Sequence, residues 1–145
     1  MATSSHIDLE FYMRECETGE ILEDEECKIC DEEGTRYTFE ASGNDCEDCP
    51  SEAVCLGGAT VYPKEGYWRS AWNSSVFYEC PVDIACLGGE QYDISEGKCD
   101  GDLGYSGRKC TVCIDDYTRV GKFECSKCPN EAENVLILMA ILFGV

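Results

Sequence analysis

Four Cys-x2-Cys pairs, Cys27 with Cys30, Cys46 with Cys49, Cys110 with Cys113 and Cys125 with Cys128, are the residues of this chain best placed to do chemistry. They admit two incompatible chemistries. Cys27-x2-Cys30-x15-Cys46-x2-Cys49 has the spacing of a four-thiolate zinc site, in which each pair clasps one side of a tetrahedral ion. The second set leaves only eleven residues between its pairs, and Cys16, Cys55, Cys80, Cys86 and Cys99 belong to neither set. Zinc therefore accounts for eight of the 13 cysteines and disulfides for twelve. Disulfides are the reading adopted, with the Cys27, Cys30, Cys46, Cys49 zinc site as the alternative. A redox role for one pair would need a low-pKa thiol at a helix N-terminus within alternating strands and helices, a pattern the sequence lacks. The single histidine, His6, lies in a polar leader away from every cysteine cluster, so no base is at hand for a nucleophile. The chain is not expected to be an enzyme or to hold a cofactor.

The cysteines are embedded in a repeat. Cys49-Pro50-x4-Cys55-Leu56-Gly57-Gly58 returns 31 residues later as Cys80-Pro81-x4-Cys86-Leu87-Gly88-Gly89, and Glu65-Gly66 and Glu96-Gly97 follow at equal offsets. Units this short cannot bury a core alone, so neighbours must support one another or be stapled. A third start, Cys128-Pro129-Asn130-Glu131-Ala132, has Asn134 where its second cysteine would stand. Thirteen cysteines in 145 residues fall in the range of disulfide scaffolds, which form in oxidising compartments. The formal charge of −19 repels nucleic acid and anionic membrane surfaces. The acidic runs Glu23 to Glu26 and Asp31 to Glu33 read as solvated loop charge, because the ligand spacing of a helix-flanked calcium loop is absent.

The elements that must carry these residues are short. Ile7 to Met13 suits a strand, within a leader (residues 1–15) that could end an upstream domain. Gly34 to Phe39 reads as a turn and short strand, and Val76-Phe77-Tyr78 as another strand. Met1 to Glu10 has neither the basic start nor the apolar core of a secretory signal. Val135 to Val145 is an uncharged apolar run of eleven residues, where a membrane span needs about 20. Both ends are explained if the sequence is an internal piece of a longer protein, with residues 130–145 beginning an apolar, transmembrane helix. The flank Asn130 to Asn134 is free of Lys and Arg, as on the non-cytoplasmic side. The competing expectation is a short buried helix.

Asn73-Ser74-Ser75 is an acceptor sequon for N-linked glycan. Just before it, Tyr67, Trp68, Arg69 and Trp72 are of the types that dominate binding hot spots. The competing expectation is that the rings cover cystines and serve as core.

Cys99-x4-Gly104-Tyr105-x-Gly107-x2-Cys110-x2-Cys113-x3-Tyr117-x7-Cys125-x2-Cys128 resembles the second half of a laminin-type epidermal-growth-factor-like module. Cys16 to Cys49, with Gly34 and Tyr37 after the first Cys-x2-Cys, resembles the cysteine-rich repeats of ephrin-receptor and tumour-necrosis-factor-receptor ectodomains. Cysteine-Pro, Leu-Gly-Gly and Gly66-Tyr67-Trp68-Arg69 in this order is similar to large surface membrane proteins of protists, ciliates especially. The laminin-type resemblance implies the pairs Cys99–Cys110 and Cys113–Cys125; the receptor-type resemblance implies Cys16–Cys27 and Cys30–Cys46. For the middle four, Cys49–Cys55 with Cys80–Cys86 keeps each repeat self-contained, whereas Cys49–Cys80 or Cys55–Cys86 would tie the copies together. Cys128 is left as the odd cysteine.

The expected fold is thus small and disulfide-rich, mostly short β and loop: elongated tandem modules at residues 16–48 (receptor-like), 49–98 (the repeats) and 99–129 (laminin-like), with a C-terminal helix. The expected function is a rigid extracellular or cell-surface spacer, adhesion or assembly unit, membrane-anchored in its parent chain and engaging protein partners or itself. A ligand-binding receptor ectodomain is the first alternative and an intracellular zinc protein the second.

Overall fold

The structure, a computed structural model, describes residues 14–30, 34–89 and 97–144, the side chains of residues 131 and 132 excepted. The strand expected at Ile7 to Met13 lies outside the described residues.

Among the described residues, twelve strands of two to four residues form six separate two-stranded antiparallel sheets. In chain order the pairs are β1 (Glu20–Glu23) with β2 (Glu26–Ile29), β3 (Arg36–Tyr37) with β4 (Glu47–Asp48), and β5 (Ala53–Cys55) with β6 (Val61–Pro63). Then come β7 (Tyr67–Trp68) with β8 (Tyr78–Glu79), β9 (Tyr105–Ser106) with β10 (Val112–Cys113), and β11 (Tyr117–Val120) with β12 (Glu124–Lys127). Single 3-10 turns occupy Asp83–Ala85 and Arg108–Cys110, and one α-helix, α1, spans Glu131–Phe143. The strand expected at Val76 to Tyr78 starts later, at Tyr78. Val76 instead closes a side-chain turn, its N–H donating to Ser74 Oγ at 3.2 Å.

Every one of these ladders ends in the same way: the N–H after the second strand donates to the carbonyl before the first. The donors and acceptors are Cys30 to Gly19 (3.0 Å), Cys49 to Thr35 (2.8 Å), Lys64 to Glu52 (2.9 Å), Cys80 to Gly66 (2.8 Å), Ile114 to Gly104 (3.0 Å) and Cys128 to Asp116 (2.7 Å). In four of the six the donor is a cysteine, so the mouth of a hairpin is where a cross-link can begin. Six cystines form, Cys16–Cys27, Cys30–Cys46, Cys49–Cys55, Cys80–Cys86, Cys99–Cys110 and Cys113–Cys125. Cys128 is free and exposed. These are the pairs that the two resemblances imply, and the middle four take the self-contained arrangement. Sequence separations of 6 to 16 residues correspond to about 2–3 kcal/mol apiece in the chain-entropy account.

The 31-residue repeat extends upstream of its cysteines. The pairs Arg36↔Asp48 and Tyr37↔Glu47 recur 31 residues on as Tyr67↔Glu79 and Trp68↔Tyr78, closed by equivalent bonds at Cys49 and Cys80. The copies then diverge: Ala53–Cys55 is a strand, whereas Asp83–Ala85 is a 3-10 turn.

Two cores result, and each draws on both sides of an expected module boundary. One holds Tyr37, Ala53, Cys55 and Val61, with Phe39, Cys49 and Phe77 against it. The other holds Trp68, Cys80, Ala85, Cys86, Tyr105 and Cys110, with Val82, Cys99 and Cys125 against it. In the second, Tyr105 Oη accepts from the N–H of Cys125 at 3.4 Å.

The apolar run forms a helix because Asn130 caps it. Asn130 Oδ1 accepts from the N–H of Glu133 at 2.9 Å, and Glu133 Oε2 accepts from the N–H of Asn130 at 3.2 Å. Gly144, in the left-handed conformation, ends the helix.

Gly104 tests this packing. Its φ is +85°, and a Cβ there would fall 2.2 Å from the Tyr117 ring. Gly104→Ala is expected to destabilise the oxidised protein by about 2 kcal/mol or more in denaturant unfolding. Gly101→Ala, with nothing within 4 Å, is expected to leave stability within about 0.5 kcal/mol of wild type.

Candidate interaction surfaces

Around Arg69 the fold assembles a cluster that sequence alone divided among three segments. β7 ends at Trp68, so Arg69 leaves the hairpin toward β6, where its guanidinium donates to the carbonyl of Val61. Its carbon Cζ stands 5.8 Å from the centroid of the Phe39 ring and 5.7 Å from that of Phe77. Phe39 meets Tyr37 edge-on at 5.0 Å and Trp72 edge-on at 5.9 Å. Arg69 is 1% exposed. Burial lowers its pKa to about 10, so it remains a cation at neutral pH, held by ring faces that attract positive charge. Burial, and then the bond from Tyr37 Oη to Glu47 Oε2 at 2.7 Å, push Tyr37 up to about 12.

This geometry corrects the expectation of one partner-contact patch at Tyr67, Trp68, Arg69 and Trp72. Trp68, 6% exposed, packs against Cys80, Cys86 and Cys110. Arg108 lies over its ring at 5.7 Å. Arg69 is buried as described, Tyr67 is half-buried, and only Trp72, 48% exposed, presents a ring to solvent. The alternating burial of a strand separates Trp68 from Tyr67, which a run of four similar residues does not reveal.

The alternative zinc set is not brought together either. Cys27 bonds Cys16, Cys30 bonds Cys46 and Cys49 bonds Cys55, so its four sulfurs belong to three cystines and offer no thiolate. The one cluster of three potential ligand residues among the described residues, Cys16, Glu20 and Cys27, likewise contains a cystine. Its carboxylate is engaged: Arg14 grips Glu20 with two N–H donors at 2.7 and 2.8 Å, and the N–H of Glu17 adds a third bond at 2.8 Å. The Arg14 bond, followed by that of Glu17, lowers the Glu20 pKa to about 2.

Asn73 is exposed in the turn that the N–H of Ser74 closes onto the carbonyl of Ala71 at 3.1 Å. α1 presents apolar side chains on every side, from 48% exposed at Met139 to 74% at Leu142. No helix among the described residues is long and apolar enough to cross a membrane.

Two open grooves adjoin the leucines of the repeats. The first, of about 450 Å³, lies between Thr18 to Glu20, Ile29 and Leu56. The second, of about 580 Å³, is lined by Tyr67, Ile84, Leu87 and Leu103 together with carboxylates. Sequence reasoning missed the second because its residues come from four segments separated by up to 38 positions. Six cystines in a chain of this size suit an oxidising, extracellular or secretory environment. No protein family, no curated protein and no solved structure matches the chain.

Two measurements probe the electrostatics. Arg69→Lys keeps the charge but loses the planar stack, and is expected to cost about 2 kcal/mol in denaturant unfolding of the oxidised protein. The carboxyl of Glu20, followed by NMR, is expected to titrate near 2, and Arg14→Met to return it toward its ordinary 4.5. Because the folded value is depressed, the stabilisation from this pair is present above pH 4.5 and is lost as pH falls from 4.5 through 2.

Proposed function

We propose that this chain is a structural segment of an extracellular or cell-surface protein, a disulfide-stapled spacer that sets distance and resists unfolding. The observation that supports this best is the serial arrangement of its cross-links. No cystine overlaps another in sequence, and Cys30–Cys46, Cys49–Cys55 and Cys113–Cys125 each join one hairpin to the next. Stability drawn from local staples in series, rather than from one large core, suits an extended object. Burial of Trp68 and Arg69 favours this reading over a receptor, since those side chains are committed to holding hairpins together. The exposed sequon at Asn73 and the acidic loops would keep such a rod solvated. The uncovered apolar girth of α1 favours a lipid or protein environment around it, and a membrane-proximal position fits the Lys- and Arg-free flank before it.

A receptor ectodomain is the second reading, favoured by the exposed ring of Trp72 and the groove beside Tyr67.

Small-angle scattering of the oxidised protein is expected to give a radius of gyration well above the roughly 15 Å of a compact domain of this length. Its intact mass is expected to be about 12 Da below that of the reduced chain, with one reactive thiol at Cys128. Trypsin is expected to cut rapidly only after reduction. A compact radius, or free thiols with bound zinc, would overturn the spacer.

A further inference from the structure

The groove beside Tyr67 carries chemistry that a spacer does not require. Its floor is apolar and open: Ile84 is 65% exposed, Leu103 is 42% exposed, and Tyr67 and Leu87 are half-buried. Around that floor stand the carboxylates of Glu65, Glu79, Asp83 and Asp100, and among the described residues no base lines the groove. Three bases of the neighbouring elements point elsewhere. Lys64 Nζ donates to the carbonyl of Ser51 at 2.8 Å, Arg108 covers Trp68, and Lys109 Nζ sits 4.3 Å from the centre of the Tyr78 ring.

The walls are built rather than incidental. The N–H of Gly66 donates to the carbonyl of Cys86 at 2.9 Å, and its own carbonyl accepts from Cys80 at 2.8 Å. The N–H of Asp100 donates to the carbonyl of Ala85 at 2.9 Å. Asp100 Oδ1 accepts from the N–H groups of Asp102 and Leu103 at 3.0 Å each, which fixes Leu103 at the rim. The Cys80–Cys86 cystine braces the turn that bears Asp83 and Ile84. The groove therefore needs little ordering to receive a ligand, which lowers the cost of binding.

We infer that this groove binds a cationic peptide segment of a partner protein, with an aliphatic side chain on Ile84 and Leu103 and a flanking lysine or arginine on each side among the carboxylates. Charge complementarity selects that occupant. A second copy of this chain would bring a net charge of −19 against the same carboxylates. A metal ion is disfavoured, since among the described residues no three carboxylates of the groove approach within 4.8 Å of one another.

The test is an NMR titration of the oxidised, ¹⁵N-labelled chain at low salt with the acetylated tripeptide amide Lys-Leu-Lys. Glu-Leu-Glu and Lys-Gly-Lys serve as controls. Saturable shifts are expected at residues 65–67, 83–87 and 100–103. Affinity is expected to fall roughly fivefold in Asp83→Asn, through loss of one exposed charge pair, and to be lost in Ile84→Ser. Both side chains are exposed, so these variants keep the fold, which their unchanged spectra outside the groove report. Shifts spread over all acidic loops, equal response to either control peptide, or unaltered affinity in both variants would overturn the proposal. So would peptide-free shifts of the same residues with chain concentration, which would mark a second copy as the occupant.

Discussion

A two-residue strand pair has no independent stability in water, and the described residues form six strand pairs of four residues or fewer per strand. What makes that possible in three of them is the coupling of the hairpin mouth to a cross-link. The ladder-closing N–H at Cys30, Cys49 and Cys80 belongs to the residue whose sulfur bonds forward to Cys46, Cys55 and Cys86. One residue thereby ends a hairpin and anchors the next segment. The backbone entropy that each short sheet fails to offset is removed from the unfolded chain instead, in loops short enough that they never need to overlap.

The longest interval between successive cystines lacks such a staple. Between Cys55 and Cys80 no cystine forms, yet the chain must pass there from one core to the other. Arg69 sits in that gap, bonded to Val61 and flanked by Phe39 and Phe77, so a buried cation and two rings do what cystines do elsewhere. Backbone contact reinforces it. The N–H of Gly89 donates to the carbonyl of Pro63 at 3.0 Å, and a Cβ at Gly89 would fall 2.6 Å from that of Tyr62. The second Leu-Gly-Gly is small because the first repeat's strand lies against it.

Much of this was legible in the cysteines. Their spacing and resemblances gave a disulfide-rich fold of short strands and the partner of each cysteine outside the repeats. The upstream half of the repeat was not legible, because Arg36-Tyr37 and Tyr67-Trp68 share no identity. Their equivalence lies in backbone register and in bonds from Cys49 and Cys80 that involve no side chain. The cores were obscured for a related reason. Cysteine motifs divide the chain at residues 48 and 98, but Tyr37 packs forward with Val61, and Tyr105 packs back onto Cys86. The aromatic run at 67–72 looked like one surface in sequence, whereas strand alternation and the turn of Arg69 toward β6 bury two of its four named residues.

The end of the array follows from the same rule. Cys128 closes its hairpin through Asp116 as Cys49 and Cys80 close theirs, and a proline follows all three. After Cys49 and Cys80 the next six residues bring a cysteine back to the mouth; after Cys128 they bring Asn134, one turn into a helix. The difference begins at residue 130. Asn130 with Glu133 makes a capping box, so the backbone N–H groups that follow are committed to a helix before any sulfur could return. Ser51 and Val82, at the equivalent positions, cap no α-helix. A single capped turn thus converts the third start of a hairpin repeat into α1, and it leaves the thiol of Cys128 as the one cross-linking group that the chain's own architecture does not use.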